Sequence, residues 1–387
     1  MKYRYAFFIL IILFLGGCKT EVTYQDPSLF AMTISDLHYT SDPNVISTVV
    51  PAMPYAKQAT EALLNQVIEQ KPDVFLITGD NTNSGRESDM RELASYLKQI
   101  HDAGIPVVMT PGNHDFNICG AKEYREIFFP VLTIDAEDPA SLSYYTDIGG
   151  LRIFAMDDSS ITAGGNGVFK DETMKWLKEN LEQAEKEGLR VLFLSHHNVI
   201  AGKEDARNES YRINNTDLES ILKKEHVRLC ISGHLHSQSI LETDGMYEII
   251  QGMFLSGQHS IGYLTVTKEG IQYEAKPLDF VRYGEAGLAD QIATADEKGA
   301  ARLDDAFREI VHKKGYDAEE TEGILKLLRR FLAANTNGTL SDEKDAIMAD
   351  TYYEAMMDAM VEENYGPWIA SLLRNPPLDG NRLQITW

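Results

Sequence analysis

Cysteine and basic residues are scarce in this sequence, and each shortage excludes a class of protein. Three cysteines occur in 387 residues, and the distant pair Cys119 and Cys230 makes a poor disulfide framework. The 36 lysines and arginines are outnumbered by 59 acidic residues, and the formal net charge of -23 argues against duplex nucleic acid as a partner. The charged fraction of 25% and the hydrophobic fraction of 43% are ordinary for a globular chain with a sizeable core.

The amino terminus carries a hydrophobic run that is too short to span a bilayer as a mature helix. Lys2 and Arg4 precede this run, residues 6–15, and two glycines and Cys18 follow it, which is typical of a secretory signal. Residues 15–18 resemble the lipobox of bacterial lipoproteins. The resemblance implies a signal peptide over residues 1–17, a lipid on Cys18, a tether over residues 18–27 and an exported protein anchored to the cell membrane, outside the cytoplasm. An ordinary signal peptide cut elsewhere and a short buried helix are the alternatives.

Short apolar strands alternate with helices between residues 28 and 283. Apolar residues at helical spacing, such as Ala59, Leu63 and Val67, predict helices, and short apolar runs predict strands. The alternation predicts an α/β (α+β) fold in which a mixed or parallel sheet is covered on both faces. The predicted strands are residues 29–34, 74–78, 105–110, 151–156, 191–195, 227–232 and 247–251. The predicted helices are residues 57–70, 87–101 and 173–186.

The composition changes after about residue 280, where helical spacing continues without strand-like alternation. We therefore expect a C-terminal helical domain over residues 284–387. It would contain helices at residues 300–312, 321–334 and 343–363 and an extended tail, residues 375–387, that packs back on the protein. Two roles are open for this region: a lid that contributes to substrate choice, or a surface that forms a homodimer.

Five short segments rich in histidine, aspartate and asparagine follow predicted strands. They read SDLH, TGDN, PGNHD, SHH and SGHLH, and they supply Asp36, His38, Asp80, Asn113, His114, His196, His197, His234 and His236. Each segment alone has an ordinary structural explanation, such as a turn. Six of the ten histidines nevertheless lie in these segments, and open α/β sheets bind ligands at the carboxyl ends of their strands. We therefore predict that the five segments converge on one site.

The side chains of these segments are suited to binding metal ions. Asp36 and His38 are two residues apart, so on a regular strand they would point to the same face, whereas His196 and His197 would point in opposite directions. Carboxylate, carboxamide and imidazole ligands without cysteine favour Mn, Fe or Zn over Ca. We expect two divalent or trivalent ions about 3.5–4 Å apart. Such ions would also reverse the local charge of an acidic protein and so attract a phosphate ester.

The order of the motifs, D-x-H, G-D, G-N-H-D, H and G-H-x-H, resembles the calcineurin-like metallophosphoesterase superfamily over about residues 29–280. The resemblance implies a β-sandwich flanked by helices, with a dinuclear metal site at the strand ends. The ligands that it implies for the first metal are Asp36, His38, Asp80 and His236. Those that it implies for the second metal are Asp80, Asn113, His196 and His234. His196 is preferred to His197 because the ligand histidine of the superfamily directly follows its strand.

The resemblance also implies a mechanism. A water or hydroxide that bridges the two metals would be the nucleophile. The counterpart of His114 in the superfamily contacts the scissile phosphate and can protonate the leaving oxygen, which is general acid catalysis. A structural role for His114, with an orienting hydrogen bond from Asp115, is compatible with this one.

The residues that flank the motifs narrow the class of substrate. Residues 81–84 after Asp80, and Asp115 after His114, disfavour the protein Ser/Thr phosphatases, which carry an Asp-Arg pair and a glutamate at these places. The helical region does not resemble the larger α/β domain of bacterial 5′-nucleotidases. The bacterial branch of class III cyclic-nucleotide phosphodiesterases is the better match, which implies hydrolysis of a small phosphodiester. The alternatives are a phosphomonoesterase or pyrophosphatase acting on envelope metabolites, and a catalytically inactive scaffold.

Overall fold

Two β-sheets share one hydrophobic core in this protein. The computed structural model describes residues 23–45, 47, 50–162, 166–200, 212–361 and 365–387. The predicted signal peptide, residues 1–17, and the predicted lipidation site Cys18 lie outside the described residues. The strands are, in chain order, β1 (Leu29–Ile34), β2 (Val74–Thr78), β3 (Val107–Thr110), β4 (Ala136–Glu137), β5 (Tyr144–Ile148), β6 (Leu151–Ala155), β7 (Arg190–Leu194), β8 (Leu229–Ser232), β9 (Ser239–Thr243), β10 (Met246–Ile250), β11 (Ser260–Thr267), β12 (Gly270–Pro277) and β13 (Arg382–Thr386).

Each sheet combines parallel and antiparallel strands. The six-stranded sheet has the order β13-β12-β11-β1-β2-β3, and β1, β2 and β3 run parallel. The seven-stranded sheet has the order β4-β5-β6-β7-β8-β10-β9, and β6, β7, β8 and β10 run parallel. The predicted α/β (α+β) fold is therefore confirmed. Within each sheet, the parallel strands bring their carboxyl ends to one edge, where ligands of such folds bind.

The helices of the first two thirds of the chain agree with the sequence pattern. The three helices predicted before residue 283 are α1, α2 and α4, with bounds that differ from the prediction by two residues or fewer. No helix within the described ranges is long and apolar enough to cross a membrane. The helices are, in chain order, α1 (Ala56–Gln70), α2 (Glu87–Asp102), α3 (Ala121–Phe128), α4 (Asp171–Lys186), α5 (Leu218–Lys224), α6 (Phe280–Tyr283), α7 (Leu288–Lys313), α8 (Ala318–Thr336), α9 (Leu340–Met348), α10 (Tyr353–Met360) and α11 (Tyr365–Arg374).

Successive residues of the central strands face two different hydrophobic cores. In β7, Leu192 and Leu194 belong to the large core shared by both sheets, whereas Phe193 belongs to a second core. The second core also contains Leu177 and Leu181 of α4. Side chains alternate between the two faces of a strand, so a strand covered on both faces is apolar along its whole length. This explains why the central strands read as continuous apolar runs.

The C-terminal helices have a hydrophobic core of their own. Residues of α7 to α11 form it, among them Phe307, Leu328, Phe331, Met356 and Ile369. The predicted helical region after residue 284 is therefore present. Its first helix, α7, begins at Leu288 rather than at residue 300, because the first half of α7 is mostly exposed and carries few apolar residues that could mark its start.

Asp350 interrupts the single helix predicted over residues 343–363, and that prediction is wrong. The Asp350 carboxylate accepts a hydrogen bond from the backbone N–H of Tyr352 at 2.9 Å, and its carbonyl accepts one from Tyr353 at 3.0 Å. Such local bonds compete with those of a helix, so aspartate favours turns and caps over helix interiors. The segment accordingly forms two helices, α9 and α10.

The carboxyl-terminal tail returns to the six-stranded sheet. Predicted as an extended segment that packs back, it forms β13, which pairs antiparallel with β12. Leu383 and Ile385 are buried while Arg382, Gln384 and Thr386 are exposed, which is the alternation of a strand with one covered face. The helical region is thus preceded by β12 and followed by β13, and both strands belong to the six-stranded sheet.

Candidate metal centre

The five predicted segments come together at the carboxyl ends of parallel strands from both sheets. Asp36 follows β1, Asp80 follows β2 and Asn113 follows β3 in the six-stranded sheet. His196 follows β7 and His234 follows β8 in the seven-stranded sheet. Within the described residues, two groups of side chains could hold a metal ion. These are Asp36, His38, Asp80 and His236, and Asp80, His196 and His234.

The backbone of these loops is left-handed at most of the predicted ligands. The φ angles are 51° at Asp36, 45° at His38, 46° at Asp80, 66° at His234 and 54° at His236. β1 ends at residue 34, as predicted, so Asp36 and His38 lie in the loop after it and not on a regular strand. They nevertheless belong to the same group of possible ligands. Each left-handed residue other than glycine costs about 1–3 kcal/mol, and such strain is concentrated at functional sites.

Two glycines allow the loops to approach one another closely. A Cβ atom on Gly79, whose φ is +87°, would lie 2.4 Å from His196 Nδ1. A Cβ atom on Gly233 would lie 1.8 Å from Ser35 Oγ and 2.3 Å from Asp36 Oδ2. A larger residue at either position would displace a predicted ligand, because real Cβ atoms do not approach other atoms this closely.

The first group of donor atoms has the spacing of a metal site. His236 Nε2 lies 3.2 Å from Asp36 Oδ1, and His38 Nε2 lies 3.3 Å from His236 Nε2. His38 Nε2 also lies 3.5 Å from Asp80 Oδ2. Ligand atoms about 2.1 Å from one ion are separated by about 3.0–3.4 Å in octahedral or tetrahedral geometry. The donor set and its spacing therefore fit one transition-metal ion.

Asp80 links this group to the second one. The same oxygen, Oδ2, that faces His38 lies 3.4 Å from His196 Nε2, which in turn lies 3.1 Å from Asn113 Oδ1. The other oxygen of Asp80 accepts the backbone N–H of His114 at 2.8 Å. One carboxylate oxygen is thus directed at both groups, as a ligand shared by two ions must be. Asn113 joins the second group by this contact, and the assignment of all these residues as ligands stays a prediction.

The buried charges of the site favour bound cations. Burial alone would raise the pKa of Asp36, but the hydrogen bond and charge of His236 lower it to about 2. Burial likewise opposes ionisation of Asp80, yet His196 and His38 hold the pKa of Asp80 well below its usual value. Both carboxylates are buried and ionised, and buried charge is stable only when it is paired. In the metal-free protein the histidines supply that pairing, and two bound metal ions would take their place.

The imidazole of His196 is oriented for ligation by its second nitrogen. Nδ1 donates a hydrogen bond to the backbone carbonyl of Thr78 at 2.9 Å, which leaves Nε2 as the ring nitrogen directed at Asp80 and Asn113. Metal-binding histidines are held in this way, because the hydrogen bond fixes both the tautomer and the ring orientation.

His114 lies beside the first group without belonging to it. Its ring centroid is 4.6 Å from that of His38, and its Nδ1 donates a hydrogen bond to the carbonyl of Asn83 at 2.9 Å. The expected orienting hydrogen bond from Asp115 is therefore wrong. Because Nδ1 is engaged, Nε2 is the ring nitrogen left for a substrate. The side chain is half-buried, so it is not enclosed by the protein.

Asp115 instead joins two of the ligand loops. Its buried carboxylate accepts hydrogen bonds from Asn81 and Thr82, which follow Asp80, and from the backbone N–H of Gly112, which precedes Asn113. The aspartate of the G-N-H-D segment thus holds two loops together. Sequence reasoning missed this role, for which the position directly after His114 is the only signal.

His197 does not belong to either metal group. Its Nδ1 is 2.8 Å from Asp158 Oδ1, and its ring centroid is 4.1 Å from that of His234. The rings of His196 and His197 both contact His234, so the expectation that they point in opposite directions is wrong. They follow the end of β7 rather than lying on it, so strand alternation does not apply.

Asp158 is a site residue that sequence reasoning did not single out. It is fully buried, and its Oδ2 accepts the backbone N–H groups of His196 and His197 at 3.0 and 2.9 Å. It follows β6, so it has the same strand-end position as the five motifs, and that position was the available signal.

Comparison with known proteins gives one family and several distant relatives. The sequence model of the family described as calcineurin-like phosphoesterase matches residues 32–238, more than half of the chain. A probable cyclic nucleotide phosphodiesterase of Rhodococcus erythropolis is 24% identical over 216 residues, which cover 55% of this chain and 66% of the relative. A probable glycerophosphodiester phosphodiesterase of Arcobacter nitrofigilis is 27% identical over 173 residues, which cover 44% of this chain and 59% of the relative. Each match spans less than two thirds of the relative.

One solved structure supports the fold. A dimetal phosphatase from Danio rerio superposes with a TM-score of 0.52 at 15% sequence identity. The superposition covers 97% of that protein but 65% of this chain. At this identity the likeness concerns the fold alone. About a third of the present chain therefore has no counterpart in a nearly complete match.

Proposed function

The chain belongs to the calcineurin-like phosphoesterase family, and we propose on that basis that it hydrolyses small phosphodiesters at a site for two metal ions. The observation that carries the proposal is the position of Asp80 Oδ2, 3.5 Å from His38 Nε2 in one group and 3.4 Å from His196 Nε2 in the other. A carboxylate shared in this way is what a dinuclear site requires. The donor set of carboxylates, imidazoles and one carboxamide supports Mn, Fe or Zn as the bound ions.

The residues of the site divide the chemistry between them. Asp36, His38, Asp80 and His236 would hold one ion, and Asp80, Asn113, His196 and His234 the other. Bound ions would polarise the phosphoryl group and lower the pKa of a water molecule beside it. The loops keep the donor atoms converged before substrate arrives, so no reorganisation is needed during the reaction.

His114 is proposed as the general acid. Its Nδ1 donates to the Asn83 carbonyl, so the ring is fixed and a proton on Nε2 can pass to the leaving alkoxide. A water oxygen would form the new bond to phosphorus as the bond to the leaving oxygen breaks, and the proton from Nε2 of His114 would pass to that leaving oxygen, which gives a phosphomonoester and an alcohol.

Two observations support a diester as the substrate. Both curated relatives described above are named for phosphodiester hydrolysis, one for cyclic nucleotides and one for glycerophosphodiesters. The second observation argues against a protein phosphatase, whose glutamate stands at the position of Asp115. Here the Asp115 carboxylate accepts hydrogen bonds from Asn81, Thr82 and Gly112 and joins two loops.

A hydrolysis assay tests the proposal. We expect the full chain, supplied with Mn²⁺, to hydrolyse bis-p-nitrophenyl phosphate faster than p-nitrophenyl phosphate. Asn113→Ala should lower kcat/KM by at least roughly tenfold, because it removes a predicted ligand, and even the loss of a ligand's hydrogen-bond partner typically costs about 10–100-fold. Asn117→Ala is the matched control, since Asn117 is exposed and lies outside both metal groups. Absence of activity in the wild type, or unchanged activity in Asn113→Ala, would refute the proposed hydrolysis at this site. A preference for the monoester would favour a phosphomonoesterase.

We also propose that the protein is exported and anchored to the membrane, outside the cytoplasm, through a lipid on Cys18. The support is the sequence of residues 1–18, with its charged start, short apolar run and small residues before the cysteine. Cells that express the full chain should incorporate labelled palmitate into it, and Cys18→Ser should abolish the label and release the protein from membranes. A labelled Cys18→Ser variant would contradict the proposal. The homodimer through the helical region stays a prediction.

A further inference from the structure

The end of α8 contacts the loop that carries His234 and His236. Asn335 Nδ2 donates a hydrogen bond to Ser237 Oγ at 2.9 Å, directly after His236. The backbone N–H of Gln238 donates to the carbonyl of Thr336 at 3.1 Å. Thr336 is the last residue of α8, and the last carbonyls of a helix have no partner within it. The contact therefore joins a helix end in the C-terminal region to the G-H-x-H segment.

Gln238 connects this loop to three parts of the chain. It is 4% exposed, and its Nε2 donates to the carbonyl of Gly380 at 2.6 Å and to the hydroxyl of Tyr273 at 3.1 Å. Its Oε1 accepts the backbone N–H of Gly252 at 3.0 Å. Gly380 lies just before β13, and Tyr273 lies on β12. Both side-chain polar atoms of Gln238 are thus engaged within the protein.

Two glycines allow the C-terminal segments to approach Gln238 closely. A Cβ atom on Gly338 would lie 2.9 Å from Gln238 Cγ, and one on Gly380 would lie 2.6 Å from the Gln238 carbonyl oxygen. The N–H of Gly380 donates to the carbonyl of Gly338 at 2.9 Å, so the segment after α8 and the segment before β13 are bonded to each other. They enclose Gln238 from the C-terminal side.

His236 is the member of its metal group that most needs such support. Its side chain is 31% exposed, whereas Asp36, His38 and Asp80 are each at most 2% exposed. Its loop also adopts left-handed backbone at both histidines, a conformation that the surroundings must stabilise. The three deeply buried ligands lie in loops that directly follow β1 and β2, whereas His236 is followed by Ser237 and Gln238, which the C-terminal region contacts.

We propose that Asn335 and Gln238 are positioning residues, through which the C-terminal region holds His236 in place and sets the affinity of the metal group that contains it. The inference rests on the metal site of the proposed function and assigns the helical region a role in forming that site. The partners of metal ligands commonly change metal affinity by 10–100-fold when they are removed. Asn335 acts through Ser237, so its effect should lie at the lower end of that range.

The test is a calorimetric titration of the metal-free full chain with Mn²⁺. We expect two ions per wild-type chain, and in Asn335→Ala roughly tenfold weaker binding of one of them. Ser237→Ala should weaken that binding at least as much, because it also removes the hydrogen bond from the Ser237 hydroxyl to the Leu235 carbonyl at 3.3 Å. The double variant should be no weaker than Ser237→Ala, because both replacements remove the bond between Asn335 and Ser237. At saturating Mn²⁺, kcat of all three variants should lie within about twofold of wild type, since metal rescues a positioning defect but not a collapsed structure.

Asn180→Ala is the matched control. Asn180 is half-buried on α4, and its amide donates to the Trp176 carbonyl within its own helix. It should bind both ions like the wild type. Unaltered Mn²⁺ binding in Asn335→Ala, multiplied effects in the double variant, or a kcat that saturating Mn²⁺ does not restore would each overturn the inference. Ser237→Ala removes a single hydroxyl and decides the question if Asn335→Ala does not fold. A wild type that binds two ions without cleaving diesters would refute the proposed function and leave this inference standing.

Discussion

At the scale of single residues, Asp80 determines that the site is one centre rather than two adjacent ones. Its Oδ2 lies within 3.5 Å of a histidine in each group, while Oδ1 is held by the backbone N–H of His114. The same hydrogen bond places His114 at the border of the metal groups. The proposed proton transfer by His114 would therefore take place beside the site at which phosphorus would bind.

Replacement of His114 should affect substrates according to their leaving groups. A general acid is most important when the leaving oxygen is strongly basic. We expect His114→Ala to lower kcat on a dialkyl phosphodiester by roughly 10²–10⁴-fold and to affect bis-p-nitrophenyl phosphate much less. The measurement is kcat for both substrates together with the metal content, which should not change. Equal losses on the two substrates would assign His114 to phosphate binding and not to proton transfer.

Glu248 gives the protein a pH-dependent stability outside the metal groups. Its carboxylate is fully buried beneath the loop after β7. It accepts backbone N–H groups from Val199 and Ile200 and the hydroxyl of Ser232. Burial raises the pKa of Glu248 to about 7, and these hydrogen bonds only partly oppose the shift. The folded state therefore binds a proton more tightly than the unfolded chain, in which the pKa is near the ordinary value of 4.5.

The sign of the pH effect follows from this difference. The stabilising contribution of protonated Glu248 is fully present below pH 4.5 and is lost as the pH rises to about 7. It amounts to about 3 kcal/mol. Urea unfolding of the metal-free protein at pH 5 and pH 8 should show this loss in wild type and not in Glu248→Gln, which stays neutral. Parallel pH profiles for the two proteins would contradict the assignment.

At the scale of secondary structure elements, the sequence predicted the strands with an unbroken apolar run and the helices with regular helical spacing of apolar residues. It did not predict elements whose form depends on contacts with other segments. The apolar runs of β1, β2 and β7 and the helical spacing of α1, α2 and α4 were sufficient. β11 and β12 were not predicted, because polar residues such as Thr265, Gln272 and Glu274 interrupt their apolar runs. Asp350 ended a helix by side-chain hydrogen bonding, which periodicity does not register.

The ligand loops show the same limit. The residue types and their strand-end positions predicted which segments would meet. The left-handed backbone at Asp36 and His38, and the contacts of Asp115 and Asp158, depend on loops from other strands. Such contacts arise from tertiary packing, so the sequence of one segment does not contain them. The same holds for Asn335, which lies about a hundred residues from its partner Ser237.

The edge strand β13 should contribute measurably to stability. Ile385 is 3% exposed and lies opposite Ile271 of β12, whereas Gln384 is exposed on the other face. Ile385→Ala should lower the free energy of unfolding by about 2–4 kcal/mol, because it removes buried methyl groups and leaves a cavity. Gln384→Ala, the neighbouring control, should change it by less than about 0.5 kcal/mol. Urea denaturation measures both, and equal effects would place the tail outside the cooperative structure.

At the scale of the whole molecule, one acidic chain contains a region that must attract an anion. The net charge is -23, so the surface as a whole repels a phosphate ester. Asp36 and Asp80 add two buried negative charges at the site itself. Bound cations reconcile these facts, since they neutralise the carboxylates and reverse the sign at the strand ends. Metal binding by these residues would therefore also determine whether the substrate is attracted.

Removal of the metals should lower the stability of the protein as well as its activity. Ions that bind the folded state and not the unfolded chain stabilise it by about 2.7 kcal/mol each at a concentration 100 times the dissociation constant. We expect EDTA to abolish hydrolysis and lower the melting temperature, and added Mn²⁺ to restore both. Ca²⁺ should restore less, because imidazole ligands suit it poorly. Asp80→Asn is the control for the linkage, because loss of the shared carboxylate should leave its melting temperature nearly insensitive to Mn²⁺. A wild type whose melting temperature and activity ignore both EDTA and Mn²⁺ would show that the buried charges are paired by the imidazoles alone.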